Sequence, residues 1–302
     1  MISKCLVTGG AGFIGSHIVE KLLDENHEVI VLDNEYSNNE KFYWNPKSEN
    51  IKGDITDYSL IKKLTKNVDI IFHCAAESRI ISSIENPLKA TEINVIGTST
   101  ILQCAREANV KRVIYSSTSS GYGRNNTPNS ELQVDDCLNP YSLTKIMGEK
   151  FCKMYTDLYD LPTISLRYFN VFGERSPSIG QYALVIAIFV EQYLKDEPLT
   201  IVGDGEQRRD FIYVKDVVEA NYLAAFSEIA KEDFGEVYNV GFGRNISINH
   251  IANLISKKQI NLPPRLGEVR ENLADISKIK KVFGWSPNVS LEDWLKDFID
   301  KS

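Results

Sequence analysis

The feature that most constrains the fold of this chain is a glycine-rich run near its start. Residues 8–15 read TGGAGFIG and place glycines at positions 9, 12 and 15. The run follows a β-type apolar stretch, residues 4–7, and opens a helical pattern, residues 14–23, in which apolar side chains recur with a helical period. Glycines here allow a tight turn, close approach of a pyrophosphate to the backbone and close packing of helix on strand. We therefore expect a phosphate-binding helix start formed by Gly9, Gly12, Phe13, Ile14 and Gly15.

An acidic residue stands where a second strand should end. Residues 27–32, HEVIVL, form a mostly apolar β-type run, and Asp33 follows about 20 residues after the glycine turn. A carboxylate at this point accepts hydrogen bonds from the ribose hydroxyls of a dinucleotide and repels a 2′-phosphate. NAD is therefore favoured over NADP as the cofactor, with Asp33 and Asn34 among the residues that bind it. The alternative is a glycine turn that serves packing alone.

Strand and helix patterns alternate through the first half of the chain. Further β-type runs cover residues 51–55, 68–72, 111–115 and 163–168, and helical patterns cover residues 90–108 and 143–159. This alternation predicts an α/β fold with a doubly wound parallel sheet and right-handed crossovers. We expect residues 1–170 to form this cofactor-binding domain, with a soft boundary across which some later segments return to it.

After residue 170 the segments become shorter and the loops richer in glycine and proline. Helical patterns cover residues 182–195, 214–230, 248–257 and 291–299, and β-type runs cover residues 199–202 and 237–240. We expect residues 171–302 to form a smaller α/β lobe that binds the substrate and shares a cleft with the sheet.

Charge and cysteine content argue against several classes of function. The 302 residues carry 34 basic and 41 acidic side chains, a formal net charge of −7, which provides no basic surface for nucleic acid or an anionic membrane. No apolar run reaches the roughly 18–20 residues that span a bilayer, and no signal peptide is visible. Five scattered cysteines and four dispersed histidines form neither a disulfide nor a metal-binding pattern. We expect a cytoplasmic protein without a metal ion.

Two further positions lie where a bound cofactor would pass. Asp54 and Ile55 follow the third β-type run, and the Asp54 carboxylate can accept from an adenine amino group. Its alternative role, for which Asp57 is equally placed, is to cap a following helix. Ala75 and Ala76 follow the fourth run, and their small side chains suit either a cofactor crossing the sheet edge or plain core packing.

Tyr141 and Lys145 form a YxxxK pair within a predicted helix, so both side chains lie on one helix face. A phenol normally titrates near pKa ~10, and a nearby ammonium together with a nicotinamide cation lowers that pKa by favouring the phenolate. The tyrosine can then take or give a hydroxyl proton. Upstream, the hydroxyl-rich residues 115–120, YSSTSS, end the fifth β-type run and can donate to the same oxygen. Taken singly, the pair can arise by chance and the hydroxyl run can be a polar loop.

The motifs in this order resemble those of the extended short-chain dehydrogenase/reductases. The closer resemblance is to nucleotide-sugar 4-epimerases of the UDP-glucose and UDP-N-acetylglucosamine type. It also rests on RYFNVFG, GDGEQRRDFIYVKDV, YNVG and GEVRENLADISK, which lie in the second half, so that it covers nearly the whole chain. The resemblance implies a Rossmann domain, NAD, a UDP-sugar substrate and a homodimer built on the helices of residues 90–108 and 143–159. A buried core helix would show the same pattern as such an interface.

The resemblance also implies roles for individual residues. Tyr141 would be the acid/base, Lys145 its partner and a ligand of the nicotinamide ribose, and Thr118 the catalytic hydroxyl. Asn94 would lie in the helix on the cofactor side. On the substrate side, Asn170 would touch the sugar diphosphate, and Arg209 and Arg270 would bind the diphosphate. Asp275 would contact the uridine ribose. Surface salt bridges are the alternative for both arginines, and Arg208 competes with Arg209 for the inward position. Residues 185–189 would cover the uracil ring or form a plain core helix.

The two residues directly after the catalytic hydroxyl indicate the type of reaction. Related dehydratases and decarboxylases carry carboxylates where this chain has Ser119 and Ser120, which leaves oxidation and re-reduction at C4 of a UDP-hexose. Asn272 is smaller than the tyrosine of glucose-restricted relatives, so we expect N-acetyl sugars to be accepted. Arg79 stands where relatives usually have a small residue near the sugar, and its positive charge would suit the carboxylate of a uronate, so a UDP-glucuronate 4-epimerase stays an alternative. Glu174 stands where relatives commonly have a proline. A reductase or dehydratase of the same family and a non-enzymatic NAD sensor also stay open.

Overall fold

A computed structural model describes residues 2–37, 42–178, 184–263 and 269–301. Seven strands form its main sheet: β1 (Lys4–Thr8), β2 (Glu28–Asp33), β3 (Glu49–Lys52), β4 (Ile70–His73), β5 (Arg112–Thr118), β6 (Thr163–Tyr168) and β10 (Val237–Val240). The strand order is β10-β6-β5-β4-β1-β2-β3, and every pair is parallel. This confirms the predicted doubly wound α/β sheet.

Five short strands lie outside that sheet: β7 (Asn170–Phe172), β8 (Leu199–Val202), β9 (Arg208–Tyr213), β11 (Asn245–Ser247) and β12 (Gln259–Leu262). The described helices are α1 (Phe13–Asp24), α2 (Tyr58–Leu64), α3 (Ile80–Glu85), α4 (Pro87–Thr91), α5 (Thr98–Glu107), α6 (Pro140–Tyr159), α7 (Val185–Leu194), α8 (Val214–Phe226), α9 (Ile248–Ile255), α10 (Ser277–Phe283) and α11 (Leu291–Lys301). The predicted start of α7 at Tyr182 lies outside the described residues.

Helices cover both faces of the sheet, as its buried strands require. One core joins the sheet to α1, α8 and α10, and a second joins it to α2, α5 and α6. A third core packs α7, α9 and α11 on β8 and β9 and forms a smaller lobe. Because β10 and α8 follow residue 170 in the chain yet belong to the sheet layer, the second half of the chain contributes to both bodies.

The helix predicted over residues 90–108 is not continuous. It divides into α4, a π-helical turn at Glu92–Gly97, and α5. Asn94 lies in that turn with 1% of its surface exposed, and its side chain bonds to the loop after β4 instead of facing solvent. The widened turn therefore accommodates a buried polar side chain inside a helical stretch.

Strand register brings the carboxyl ends of β1, β2 and β4 to one edge. Thr8, the last residue of β1, lies opposite Leu32 on one side and His73 on the other. Chain order reverses between β1 and β4, and open α/β sheets bind their ligands at such a reversal. The loops after these strands are therefore the expected place for a site.

Candidate active site

A cavity of about 690 Å³ lies between this sheet edge and the smaller lobe. The glycine turn, the ends of β2, β4 and β5, and the start of α6 line one side. Residues Asn170, Pro177, Leu184, Arg209 and Asn272 line the other. Its volume falls in the range of roughly 300–1,000 Å³ that is usual for small-molecule sites.

The glycine turn fits a dinucleotide phosphate. Gly9 has φ +67°, and a Cβ on it would lie 2.7 Å from the Ala75 amide nitrogen. A Cβ on Gly15 would lie 2.2 Å from the Gly9 carbonyl oxygen. Helix α1 has Gly12 as its N-cap, without a side-chain acceptor for its first amides, and Gly12, Phe13 and Ile14 line the cavity. The start of α1 therefore has the backbone shape and the exposed N–H groups that bind a pyrophosphate.

The acidic residue at the end of β2 faces the same cavity. Asp33 is buried, and its Oδ2 accepts from the Ala11 amide at 3.1 Å while its Oδ1 accepts from the Glu35 amide at 2.8 Å. Burial raises the pKa of Asp33, and these amide hydrogen bonds oppose that rise. The carboxylate is thus held rigidly at the edge of the glycine turn, where a ribose would lie.

Asn34, Asp54 and Ile55 line the cavity next to Asp33. The Asn34 amide donates to the Asp54 carboxylate at 2.8 Å, and Asp54 also accepts from the Thr56 amide and hydroxyl. The helix cap of α2 is Asp57, which accepts from the Leu60 amide at 3.0 Å. The capping role therefore belongs to Asp57, and Asp54 stays available to the cavity.

The loop after β4 contributes two small residues and one buried anchor. Ala75 and Ala76 line the cavity. Asn94 does not line it. Its side chain accepts from the Glu77 amide at 2.8 Å and donates to the Glu77 carbonyl and to the Thr144 hydroxyl. Asn94 therefore holds the Ala75–Ala76 loop against α6 and reaches the cavity only through that loop.

Thr118, Tyr141 and Lys145 all line the cavity. Thr118 ends β5, and Tyr141 and Lys145 lie one turn apart on α6. Asn139 caps this helix by accepting from the Ser142 amide at 2.9 Å, with Pro140 in the first turn. The Lys145 side chain is 3% exposed, and its Nζ lies 4.3 Å from the centre of the Tyr115 ring. The structure thus brings the three predicted catalytic residues together.

Burial is the largest influence on the pKa values of both Tyr141 and Lys145. It raises the pKa of Tyr141, against a lowering by the hydrogen bond to Thr118. It lowers the pKa of Lys145 to about 8, and electrostatic interactions with Cys74, Cys152 and Glu149 oppose this fall. In the chain alone Tyr141 is therefore protonated at neutral pH, and Lys145 is mostly charged. A cationic nicotinamide beside the pair would supply the further positive charge that favours the phenolate.

On the lobe side, Asn170, Arg209 and Asn272 line the cavity. Asn170 donates to the Asp210 carbonyl at 2.7 Å and to Asn272 Oδ1, and Asn272 Oδ1 also accepts from the Asp210 amide. Arg208 turns away and donates to Asn245 through Nε and Nη2. Arg209 is therefore the arginine of this pair that faces the cavity.

Two expected substrate contacts lie outside the cavity. Arg270 is 64% exposed and pairs through both Nη atoms with Asp204 at 2.8 and 3.0 Å, which matches the surface salt-bridge alternative. The Asp275 carboxylate accepts from the Ser277 amide before α10. Gly267 and Glu268, which open their motif, lie outside the described residues.

Residues 185–189 match the core-helix alternative. Ile186, Ala187 and Phe189 are buried in the core of the smaller lobe. Leu184, immediately before α7, lines the cavity. The N-terminal end of α7 therefore reaches the site, while the apolar face of the helix stabilises the smaller lobe.

The two unusual residues have different positions. Arg79 lines the cavity and donates through Nε and Nη2 to the carboxylate of Glu77, which is 2% exposed. Glu174 does not line the cavity, and its carboxylate accepts from the Tyr213 hydroxyl and the Trp294 indole. Glu174 thus joins the loop after β7 to β9 and α11.

Sequence reasoning missed the buried acids Glu77 and Glu149 and the buried Arg167. Glu149 lies four residues beyond Lys145, the same spacing that separates Lys145 from Tyr141. This i, i+4 spacing places it on the same face of α6, so the signal was present.

Within the described residues, no helix combines the length and apolar character needed to cross a membrane.

Comparisons with known proteins agree with this geometry. The family described as "NAD dependent epimerase/dehydratase family" matches residues 5–241. A putative UDP-glucose 4-epimerase of Methanocaldococcus jannaschii is 39% identical over 98% of this chain and 97% of that protein. The crystal structure of a UDP-glucose 4-epimerase with UDP-glucose from Thermotoga maritima has a TM-score of 0.91 at 35% identity, covering 99% of each chain.

A second solved structure carries a different sugar specificity in its name. The UDP-N-acetylglucosamine 4-epimerase of Methanobrevibacter ruminantium, in complex with UDP-N-acetylmuramic acid, has a TM-score of 0.89 at 35% identity and covers 100% of this chain and 99% of that one. Fold, glycine turn and a YxxxK pair beside a hydroxyl-rich strand end therefore agree with the family match. The chain belongs to the NAD-dependent epimerase/dehydratase family.

Proposed function

We propose that this chain is an NAD-dependent UDP-sugar 4-epimerase that inverts C4 of a UDP-hexose. The substrates would be the UDP-glucose/UDP-galactose pair and the UDP-N-acetylglucosamine/UDP-N-acetylgalactosamine pair. The observation that carries the proposal is the meeting of Thr118, Tyr141 and Lys145 with the glycine turn in one cavity. A non-enzymatic NAD sensor would have no use for that set of proton-handling groups.

The chain's own residues account for the proton transfers. When bound, NAD supplies the hydride acceptor and donor for C4. Tyr141 takes the proton of the sugar 4-hydroxyl, and Thr118, which lines the same cavity, positions the same oxygen. Lys145 keeps a positive charge beside Tyr141, and this favours its phenolate. After the 4-keto sugar has turned over in the cavity, Tyr141 returns the proton to its oxygen.

The positions of Ser119 and Ser120 support epimerisation over elimination or decarboxylation. Both line the cavity directly after Thr118, and a serine hydroxyl does not act as a carboxylate acid or base at neutral pH. The 4-keto sugar therefore meets no acid at these two positions that would expel water. Re-reduction remains the outcome, with zero net redox change.

The Glu77–Arg79 pair supports a neutral hexose over a uronate. Arg79 places a guanidinium in the cavity, which is the observation that favours a UDP-glucuronate 4-epimerase as the second candidate. However, the bidentate bond to the buried Glu77 already compensates that charge. A substrate carboxylate would have to compete with Glu77 for the same guanidinium.

The test is incubation of the purified protein with UDP-galactose, UDP-N-acetylgalactosamine and UDP-glucuronate, followed by chromatographic separation of the sugar nucleotides. We expect the first two to be converted to their C4 epimers without consumption of added nicotinamide cofactor. An accumulating 4-keto-6-deoxy or pentose product would contradict the proposal. Preferred conversion of UDP-glucuronate would replace it with the second candidate.

We also propose a homodimer formed through the α5–α6 face. Its exposed apolar side chains lie along α6 and on the π-helical turn before α5: Leu143, Met147, Met154 and Leu158 on the helix and Ile96 on the turn. Contiguous exposed apolar surface of this kind marks interaction sites in water-soluble proteins. The same face on a second copy would bury it symmetrically.

A further inference from the structure

A buried ion pair lies directly behind the candidate active site. The Glu149 carboxylate accepts from Arg167 Nε at 2.8 Å and from Arg167 Nη2 at 2.7 Å. Glu149 is 2% exposed and Arg167 is 3% exposed. A fork-shaped, charge-assisted pair in such a dry environment has a fixed geometry.

This pair connects the two elements that carry the catalytic residues. Glu149 Oε1 also accepts from the Ser117 hydroxyl at 2.5 Å, and Ser117 immediately precedes Thr118 at the end of β5. Glu149 itself lies on α6, one turn after Lys145 and two turns after Tyr141. One carboxylate therefore joins the strand that presents Thr118 to the helix that presents Tyr141 and Lys145.

This inference rests on the proposed function: we propose that Glu149 is a positioning residue of the epimerase. Its carboxylate, held by Arg167, fixes Ser117 and so the spacing between Thr118 and Tyr141, and it keeps a negative charge beside Lys145. It does not line the cavity, so it acts only through these neighbours.

The electrostatics of the cluster agree with this role. Burial lowers the pKa of Lys145 to about 8, and Glu149 is among the groups that oppose this fall. The charged and titratable groups facing the Lys145–Glu149 stretch from other elements are His73, Cys74, Tyr115, Asp135, Cys137 and Arg167. His73 is uncharged at neutral pH because burial lowers its pKa to about 3.

Asp135 provides a matched control for Glu149. It accepts from Arg167 Nη2 at 2.7 Å and pairs with Lys150 at 3.3 Å, but it is 22% exposed. It lies in the segment between Thr118 and α6 and does not line the cavity. Loss of its charge disturbs Arg167 as loss of Glu149 does, but leaves the Ser117 contact and the charge beside Lys145 in place.

The experiment compares Glu149→Gln with Asp135→Asn in the full-length enzyme. In E149Q, we expect kcat to fall by about tenfold with KM nearly unchanged, because the loss is one of transition-state geometry. The alkaline limb of its kcat profile, set by loss of the Lys145 proton, should move to lower pH. D135N should keep both the wild-type kcat and the wild-type limb.

The pKa of Lys145 is measured separately by NMR on protein with isotope-labelled lysine, the signal being identified by its absence in Lys145→Ala. We expect this pKa to fall in E149Q and to stay unchanged in D135N. If E149Q does not fold, the double variant E149Q/R167Q, which leaves neither charge unpaired in the core, replaces it, and a fall in kcat at nearly unchanged KM is then the deciding result.

An unchanged Lys145 pKa in E149Q, an equal change in D135N or, where the double variant is used, an unchanged kcat would overturn the inference. The measurement of the Lys145 pKa needs no turnover. If the wild-type protein converts no UDP-sugar, the proposed function fails, while the Lys145 titration still decides whether Glu149 holds the charge of the pair.

Discussion

At the scale of single residues, the proposed chemistry depends on the Tyr141 phenol, which burial makes a weaker acid. The pKa of Tyr141 is raised by burial, and the hydrogen bond to Thr118 opposes that rise. Tyr141→Phe removes the proton-transferring oxygen and leaves the ring. We expect turnover to fall by about a hundredfold or more, while NAD still raises the unfolding temperature as in the wild type. The measurement is initial-rate chromatography of the epimer with a parallel thermal shift, and surviving activity would show that another group is the base.

Asn272 is the residue that we propose to limit the size of the accepted sugar. Its Oδ1 is held by the Asp210 amide and by Asn170, so the side chain is fixed at the cavity wall. Asn272→Tyr adds a ring at that wall and should lower kcat/KM for UDP-N-acetylgalactosamine by about tenfold more than for UDP-galactose. Asn272→Ser is the control and should keep both substrates. An equal loss for both sugars in the tyrosine variant would remove this role.

Residues tied to a regular element were predictable from sequence, and residues on long loops were less so. The period of α6 places Tyr141 and Lys145 on one face, and the end of β5 places Thr118 beside them. Arg270 and Asp275 follow no such element, and their partners Asp204 and Ser277 lie in loops or at a helix start. Which way such a side chain turns depends on contacts that no local pattern encodes.

At the scale of elements, the turn between β1 and α1 is a tightly packed part of the site. A Cβ on Gly15 would lie 2.2 Å from the Gly9 carbonyl oxygen and 2.8 Å from the Gly10 Cα. Gly15→Ala therefore forces the turn to open, and we expect the affinity for NAD to fall by about tenfold or more. Isothermal titration of cofactor-free protein with NAD measures the effect.

Gly284 provides the control for that variant. It has φ +66°, and a Cβ on it would meet nothing within 4 Å. Gly284→Ala should cost about 1 kcal/mol of stability through backbone strain alone and leave the affinity for NAD unchanged. Wild-type affinity in Gly15→Ala would show that the turn is not the phosphate site.

The sheet was predictable because buried parallel strands appear as short apolar runs separated by helical patterns. The π-helical turn at Glu92–Gly97 was not. It exists because Asn94 is bound by Glu77 and Thr144, which are 17 and 50 residues away in the chain. Long-range hydrogen bonds determine such a turn, whereas the local sequence pattern predicts an ordinary α-helix.

At the scale of the whole molecule, the α5–α6 face should decide the oligomeric state. Leu158 is 63% exposed on that face. Leu158→Glu would place a charge inside the proposed apolar interface, and we expect it to halve the mass found by light scattering after gel filtration. Leu132→Glu, at a 96% exposed leucine on the loop before α6, should stay dimeric. A wild-type protein of monomer mass at micromolar concentration would contradict the dimer.

The net charge of −7 also acts on the whole molecule. A UDP-sugar carries a negatively charged diphosphate and approaches an acidic surface, so local positive charge has to hold it. Within the cavity lining, Arg209 is placed to supply that charge on the side of the smaller lobe, while the start of α1 is placed to bind the cofactor pyrophosphate. Lys145 adds a positive charge at the start of α6, and Arg79 is bound to Glu77. Local positive groups therefore matter more for anion binding than the protein's overall field.

The fate of the hydrogen at C4 tests the central claim most directly. UDP-galactose carrying deuterium at C4 is incubated with the enzyme in ordinary water, and the UDP-glucose product is examined by NMR and mass spectrometry. If Tyr141, Thr118 and Lys145 support oxidation and re-reduction within one cavity, the deuterium stays on C4 of the inverted sugar. Loss of the label to solvent, or a product that keeps the galactose configuration, would contradict the account.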